Sequence, residues 1–168
     1  MPIAYVFFHH LAAACSLKFP GRFEIVRSGA DGDFKSKLVV VRPFQSKEVM
    51  AKIDGCYEAV KRWSSVQISA DKHIELNSEL VFMNHSCDPS VIIDAETLEV
   101  IATRDLQPGD EATFFYPSTE WDMSQPFDCW CGATQCIKRV SGAKHLPAEA
   151  LKTQFINKHI RSLLDARE

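Results

Sequence analysis

The stretch Leu80-Val-Phe-Met-Asn84-His85-Ser86-Cys87-Asp88-Pro89 joins an apolar run to a short polar segment that ends in a turn signal. The apolar residues predict a strand over residues 80–83, and Asp88-Pro89 predicts the turn that follows. A second informative stretch, residues 102–116, passes through the turn signal Pro108-Gly109 and ends in Ala112-Thr-Phe-Phe-Tyr116. Its aromatic and β-branched residues predict another strand. Both stretches carry polar or aromatic side chains at the end of an apolar run, where a functional site can be built.

A dense group of cysteines follows at Cys129-Trp-Cys131-Gly-Ala-Thr-Gln-Cys136. In a reducing compartment such a group indicates a metal site more often than a disulfide framework. Zinc prefers four tetrahedral ligands, so the three thiols need a fourth, and Cys87 is the candidate. The alternative is that these cysteines are small buried apolar residues. We assign the remaining Cys15 and Cys56 to the core.

Length, composition and charge limit the classes of protein. The chain has 168 residues, 46% of them hydrophobic and 24% charged, with a net charge of −3. These values predict one compact globular domain and argue against strong nucleic-acid binding driven by phosphate neutralisation. No apolar run is long enough for a membrane helix, so we expect no membrane association. The predicted location is intracellular, in the cytoplasm or the nucleus.

The chain pattern predicts a mixed, β-rich fold. Residues 21–54 and 64–116 contain short runs of β-branched residues separated by turn signals, whereas residues 47–63 fit strand or helix equally well. Residues 147–166 carry apolar side chains at three-to-four spacing and predict an amphipathic C-terminal helix. Its apolar stripe either packs on its own domain or supports a homodimer.

These segments, in this order, resemble the SET-domain methyltransferases that carry a post-SET zinc loop. The shared patterns are N-H-x-C-x-P at residues 84–89, the segment from Arg104 to Tyr116, and the C-x-C-x4-C loop. The resemblance implies a SET-type β fold with a pseudoknot and a C-terminal α-helix. It divides the chain into an N-terminal apolar segment (1–21), a SET domain (22–120), a post-SET zinc loop (121–142) and a C-terminal amphipathic helix (143–168).

The resemblance also implies a cofactor and a set of roles. S-adenosylmethionine is the expected methyl donor, held by Asn84 and His85. The Tyr116 hydroxyl is expected beside the transferring methyl group, and Phe114 controls the room around the acceptor. The metal ligands implied for zinc are Cys87, Cys129, Cys131 and Cys136.

Two departures from the family pattern bear on the acceptor. The glycine-rich G-x-G that lysine-directed members carry is replaced by Lys35-Ser36-Lys37. Lys35 and Lys37 could pair with a carboxylate of cofactor or substrate, or they could be solvated turn residues. Residues 64–68 also lack the tyrosine that many lysine methyltransferases place there.

Three functions follow from these observations. The first is N-methylation of a protein lysine, with Glu120 or Asp122 attracting a basic peptide. The second is O-methylation of a small carboxylic acid, which needs cationic or hydrogen-bonding groups to hold it. The third, less favoured, is a non-catalytic zinc-containing binding module. The candidate groups for the carboxylate are Lys35, Lys37, Arg42 and Arg62.

Overall fold

The computed structural model describes residues 17–27 and 36–167, and within them it is rich in short β-strands. The predicted mixed, β-rich fold is confirmed. Residues 47–63, which fitted either period, contain two strands and no helix. The strands are β1 Phe23–Val26, β2 Lys37–Val40, β3 Val49–Lys52, β4 Tyr57–Ala59, β5 Ser65–Gln67, β6 His73–Glu75, β7 Asn84–His85, β8 Val91–Asp94, β9 Glu99–Ala102, β10 Thr113–Phe114, β11 Phe127–Asp128 and β12 Arg139–Val140.

The strands form small sheets around one main core. β1 pairs with β2, β9 lies between β3 and β8, and β6 lies between β4 and β5, all antiparallel. Their apolar side chains alternate inward, as β8 shows with buried Val91 and Ile93. The pair β7 and β10 is parallel, which brings two segments far apart in sequence side by side.

The expected strand over residues 80–83 is wrong, because a 3-10 helix spans Glu79–Phe82. The Ser78 side chain caps this helix by accepting a hydrogen bond from the Leu80 backbone. The buried Glu79 carboxylate accepts from the backbone N–H groups of Lys18 and Phe19 at 2.9 and 2.8 Å. These contacts with a distant segment hold the chain in a turn where the local pattern favoured extension.

The predicted C-terminal helix is confirmed, but it does not extend without a break over residues 147–166. The structure has two helices, α1 Ala148–Leu151 and α2 Lys158–Asp165, separated by a non-helical segment. The break ends at Asn157, whose side chain donates to the carbonyls of Ile93 and Ser118 and accepts from the Ala95 backbone. These hydrogen bonds tie Asn157 to distant segments of the chain, at the position where the periodicity predicted a helix without a break.

A second core joins the cysteine loop to the C-terminal helices of the same chain. Its buried members include Cys87, Phe115, Val140, Leu151 and Ile160. The apolar stripe of α2 therefore packs on its own domain. Among the described residues, no helix combines the length and the apolar character needed to cross a membrane.

A glycine permits the close approach of two segments at the edge of this second core. Gly142 has a φ of +107°, and a Cβ built there would lie 2.5 Å from the Trp121 carbonyl oxygen. The next residue, Ala143, donates its backbone N–H to the Glu120 carbonyl at 2.8 Å. Only glycine fits this backbone conformation without strain. The close approach holds residues 120–122 at the base of the cysteine loop.

Candidate functional site

The parallel pair β7 and β10 is the centre of the candidate site. In its register Asn84 lies opposite Thr113, and His85 lies opposite Phe114. The Asn84 side-chain amide donates to the Ser36 carbonyl at 3.1 Å and to Glu111 Oε1 at 3.0 Å. The pairing therefore brings the segment that holds Asn84 next to the strand that leads to Tyr116.

His85 links this centre to the cysteine cluster. Its Nδ1 accepts the Tyr116 backbone N–H at 3.2 Å, and its Nε2 lies 3.3 Å from Cys87 Sγ. Because Nδ1 is an acceptor, the neutral ring carries its proton on Nε2 and donates toward sulfur. Burial lowers the pKa of His85 to about 4, which favours that neutral form.

The Tyr116 side chain is held by one hydrogen bond and several aromatic rings. Its hydroxyl donates to the Met83 carbonyl at 2.9 Å, and its ring centroid lies 4.6 Å from Phe114, 5.3 Å from His85 and 6.0 Å from Phe127. Burial raises the pKa of Tyr116 well above its usual value, and the nearby carboxylates of Glu120 and Glu111 raise it further. The hydroxyl is therefore protonated at neutral pH.

These residues line an open cleft of about 1070 Å³. Its volume lies slightly above the range of about 300–1,000 Å³ found for small-molecule and cofactor sites. Phe127 and the strongly exposed Trp130 extend its aromatic wall beyond β10. The cleft combines apolar walls with a few convergent polar groups, the composition expected of a binding site.

The cysteine cluster lies beside the cleft. The thiols of Cys87, Cys129, Cys131 and Cys136 lie within 4.8 Å of one another, and Cys87 and Cys129 are 3.9 Å apart. Tetrahedral zinc with Zn–S bonds of about 2.3 Å requires sulfur atoms about 3.8 Å apart. The separations and the all-thiol donor set therefore fit a structural metal ion, and the four cysteines named in the sequence analysis lie together in the structure.

The electrostatics of the cluster differ from thiol to thiol. Burial raises the pKa of Cys87 above its usual value and that of Cys129 to about 11. Burial acts in the same direction on Cys131, but hydrogen bonds from the backbone of Cys87 and Ala133 and from the side chains of Cys129 and Cys87 together lower its pKa to about 6. Cys56 lies outside this group.

The four basic residues expected near the acceptor differ in whether they line the cleft. Lys35 lies outside the described residues, and Lys37 begins β2, where its backbone pairs with Val26. Arg42 is held by Glu48 at 2.9 Å and covers the Phe44 ring at 3.8 Å. Arg62 lines the cleft and forms an ion pair with the buried Glu75. Only one of these four cations lines the cleft within the described part of the chain.

The two candidate acidic residues are separated by the structure. Asp122 lies on the surface, 2.9 Å from His145 and 3.7 Å from Lys144, and the hydrogen bond from His145 lowers its pKa. Glu120 is buried and faces the cleft.

Several groups at the site carried no role in the sequence analysis. They include Glu111, the Met83 carbonyl, Phe127 and Trp130. Glu111 belongs to the quoted 102–116 segment, so its motif position was a usable signal. The Met83 carbonyl is a backbone group, for which the side-chain pattern carried no signal.

Comparison with known proteins agrees with this fold. A family model described as the SET domain matches residues 15–117. "Methyltransferase flvH" of Aspergillus flavus is 38% identical over 152 residues, covering 89% of this chain and 84% of that protein. An H3 lysine-36 specific histone-lysine N-methyltransferase of Candida albicans is 34% identical over 82 residues, covering 45% of this chain and 10% of that protein.

A solved structure supports the same fold. The structure of KRYPTONITE in complex with mCHG DNA and SAH superposes with a TM-score of 0.52 at 19% identity, covering 73% of this chain and 29% of that chain. The chain thus spans most of the Aspergillus protein but only a small part of the histone-directed enzyme and of KRYPTONITE. With the family model matching more than half of its length, the chain belongs to the SET-domain family and is a methyltransferase.

Proposed function

We propose that the protein transfers a methyl group from S-adenosylmethionine to the side-chain amine of a protein lysine. The observation that carries this proposal is the Tyr116 hydroxyl, fixed by the Met83 carbonyl at 2.9 Å in a cleft that Asn84 and His85 also line. The histone-lysine relatives support a lysine acceptor.

Asn84 and His85 are the residues that we propose for the cofactor. When bound, S-adenosylmethionine supplies an activated sulfonium methyl. The Asn84 amide donates to the Ser36 carbonyl, so the backbone of Ser36 lies next to the proposed cofactor residues. Contacts of Lys35 and Lys37 with a cofactor or substrate carboxylate remain part of the proposal.

Tyr116 and the aromatic rings around it have separate functions in this reaction. The Tyr116 hydroxyl proton is engaged by Met83, so the lone pairs of its oxygen are available to the reacting centre. The Phe114 and Phe127 rings make the surroundings of the acceptor apolar. An apolar environment disfavours the ammonium form of lysine and so promotes the neutral amine that can attack. We propose that Phe114 also limits the room around the acceptor.

A structural zinc ion is part of the proposal. Cys87, Cys129, Cys131 and Cys136 would hold it and fasten the loop after β11 to the segment that follows β7. A free-thiol cluster needs a reducing environment, which supports a location in the cytoplasm or nucleus.

The second candidate is O-methylation of a small carboxylic acid. It is favoured by Arg62, a half-exposed cation that lines the cleft. It is weakened because Arg62 already pairs with Glu75. A carboxylate acceptor also requires no deprotonation, so it needs no apolar surroundings.

Methyl-labelled cofactor distinguishes these acceptors. The protein is incubated with labelled S-adenosylmethionine and cell extract, and the products are treated with mild alkali. We expect alkali-stable label on protein, because a methylated amine survives whereas a methyl ester releases methanol. Alkali-labile label in the small-molecule fraction would replace the lysine proposal with the second candidate. No labelled product, together with no thermal stabilisation by S-adenosylmethionine, would refute both.

A further inference from the structure

We infer that Glu120 is the residue of the cleft that binds the acceptor amine, by accepting a hydrogen bond from its ammonium form. The inference rests on the proposed function, in that it assigns a specificity-determining residue to the acceptor side of the same cleft. It also excludes a carboxylate acceptor, which the Glu120 charge would repel.

Glu120 is held rigidly on the cleft wall. Its backbone N–H donates to the Tyr116 carbonyl at 3.0 Å, and its own carbonyl accepts from Ala143 at 2.8 Å. Its Oε1 accepts the Gln67 backbone N–H at 2.8 Å and the Thr119 hydroxyl at 3.3 Å. The residue is 8% exposed and is one of the residues that line the cleft. A side chain fixed in this way is preorganised to bind a ligand.

The second carboxylate oxygen has no hydrogen bond. Oε2 lies 3.6 Å from His73 Nε2, which is longer than a hydrogen bond. His73 is only 9% exposed, and its Nε2 has no hydrogen-bond partner among the described residues. No lysine or arginine of residues 17–27 and 36–167 forms an ion pair with Glu120. Apart from the imidazoles of His73 and His159, the carboxylate has no cationic partner among the described residues, and this arrangement leaves a position for an external cation.

The other acidic groups lining the cleft have partners of their own. Glu111 accepts from Asn84, and Asp128 pairs with Arg139 at 2.8 Å. Asp88 faces Arg104 at 3.7 Å, and Asp110 accepts the backbone N–H of residue 107. Glu120 differs from these four in its burial, because it is the one carboxylate lining the cleft that is buried within the described residues.

Glu120 also lies beside Tyr116 in the fold, since its backbone N–H donates to the Tyr116 carbonyl at 3.0 Å. Its negative charge is one of the causes that raise the pKa of Tyr116, so the two groups interact electrostatically. The Glu120 charge stabilises the bound ammonium, so the nitrogen must leave this contact and lose a proton to solvent in the open cleft before its lone pair attacks a methyl group. A neighbouring sulfonium charge would favour that loss.

Glu120→Gln tests the assignment without removing the structural bonds. The amide oxygen of glutamine can still accept from Gln67 and Thr119, while the charge is lost. Asp122→Asn is the matched control, because it removes a carboxylate two residues away that lies on the surface. The probes are n-butylammonium, which mimics the end of a lysine side chain, its neutral analogue 1-butanol, and butyrate.

Binding of each probe is measured by NMR titration of the protein saturated with S-adenosylhomocysteine. We expect wild-type protein to prefer n-butylammonium over 1-butanol and over butyrate. Glu120→Gln should weaken n-butylammonium binding about tenfold, the loss typical of a hydrogen bond to a charged group. Asp122→Asn should leave it unchanged, and both variants should keep wild-type affinity for S-adenosylhomocysteine.

The wild-type comparison needs no variant, so it can overturn the inference even if Glu120→Gln fails to fold. Equal binding of n-butylammonium and 1-butanol, or preference for butyrate, would overturn the inference. Unchanged n-butylammonium affinity in folded Glu120→Gln would do the same. The binding assay requires no turnover, so its result stands even if the lysine-methylation assay fails. Absence of S-adenosylhomocysteine binding would contradict the proposed function rather than the assignment of Glu120.

Discussion

Replacing Tyr116 with phenylalanine removes one hydroxyl from the centre of the cleft. That hydroxyl forms a 2.9 Å hydrogen bond with the carbonyl of Met83, a residue only 2% exposed. Leaving a buried carbonyl unsatisfied costs about 1–3 kcal/mol of folding stability. For a chain of this size each kcal/mol lowers Tm by about 2–4 °C. We therefore expect a fall in Tm of a few degrees, with the fold retained.

The same substitution should have a much larger effect on catalysis. Removing a preorganised polar group at the reacting centre of an enzyme typically lowers kcat about a hundredfold or more. Affinity for S-adenosylmethionine should be retained, because Asn84 and His85 are unchanged. Tyr57→Phe is the control, since Tyr57 is 53% exposed on β4. Calorimetric titration with the cofactor and single-turnover methyl transfer measure the two quantities. Unchanged methyl transfer in Tyr116→Phe would refute the catalytic role.

Three further substitutions test the zinc site and the packing around it. Cys131→Ser should contain less than one metal ion per chain by elemental analysis, and its loop at residues 129–142 should become sensitive to protease. Cys56→Ser is the control and should match wild type. Full metal content in Cys131→Ser would contradict the metal site. Gly142→Ala should lower the free energy of unfolding in urea by about 1–3 kcal/mol, because the new Cβ meets the Trp121 backbone in a positive-φ conformation. An unchanged urea midpoint would show that the backbone shifts to accommodate the Cβ without cost. Asn157→Ala loses the hydrogen bonds to Ala95, Ile93 and Ser118, so it should lower the free energy of unfolding by about 2–4 kcal/mol in the same assay. A decrease below about 1 kcal/mol would show that Asn157 does not hold α2 in place.

The predictions that succeeded depended on residues close together in sequence or on ordered motifs. Cys129, Cys131 and Cys136 lie within eight residues, so their convergence needs only a tight loop. The motif at residues 84–89 then identified Cys87, and the four thiols lie within 4.8 Å in the structure. Short strands over residues 21–54 and 64–116 were predictable because β-branched residues and turn signals act locally.

The predictions that failed concerned residues whose partners are distant in sequence. Glu79 bends its segment into a 3-10 helix through bonds to Lys18 and Phe19, about sixty residues earlier. Asn157 interrupts the C-terminal helix through bonds to Ile93 and Ser118. The apolar periodicity around each residue favoured a regular element in both cases. Tertiary contacts overrode that preference, as they commonly override weak local propensities.

The amino-acid sequence by itself determined the family, the four clustered thiols and the chemical groups of the cleft, because these depend on residue type and on spacing along the chain. Only the tertiary structure decided how the groups combine. It buried Glu120 beside Gln67, exposed Asp122 two residues later and turned Arg62 toward Glu75. The physical reason is that burial and pairing set the energy of a charged group, and both depend on neighbours that the fold brings together from distant parts of the chain.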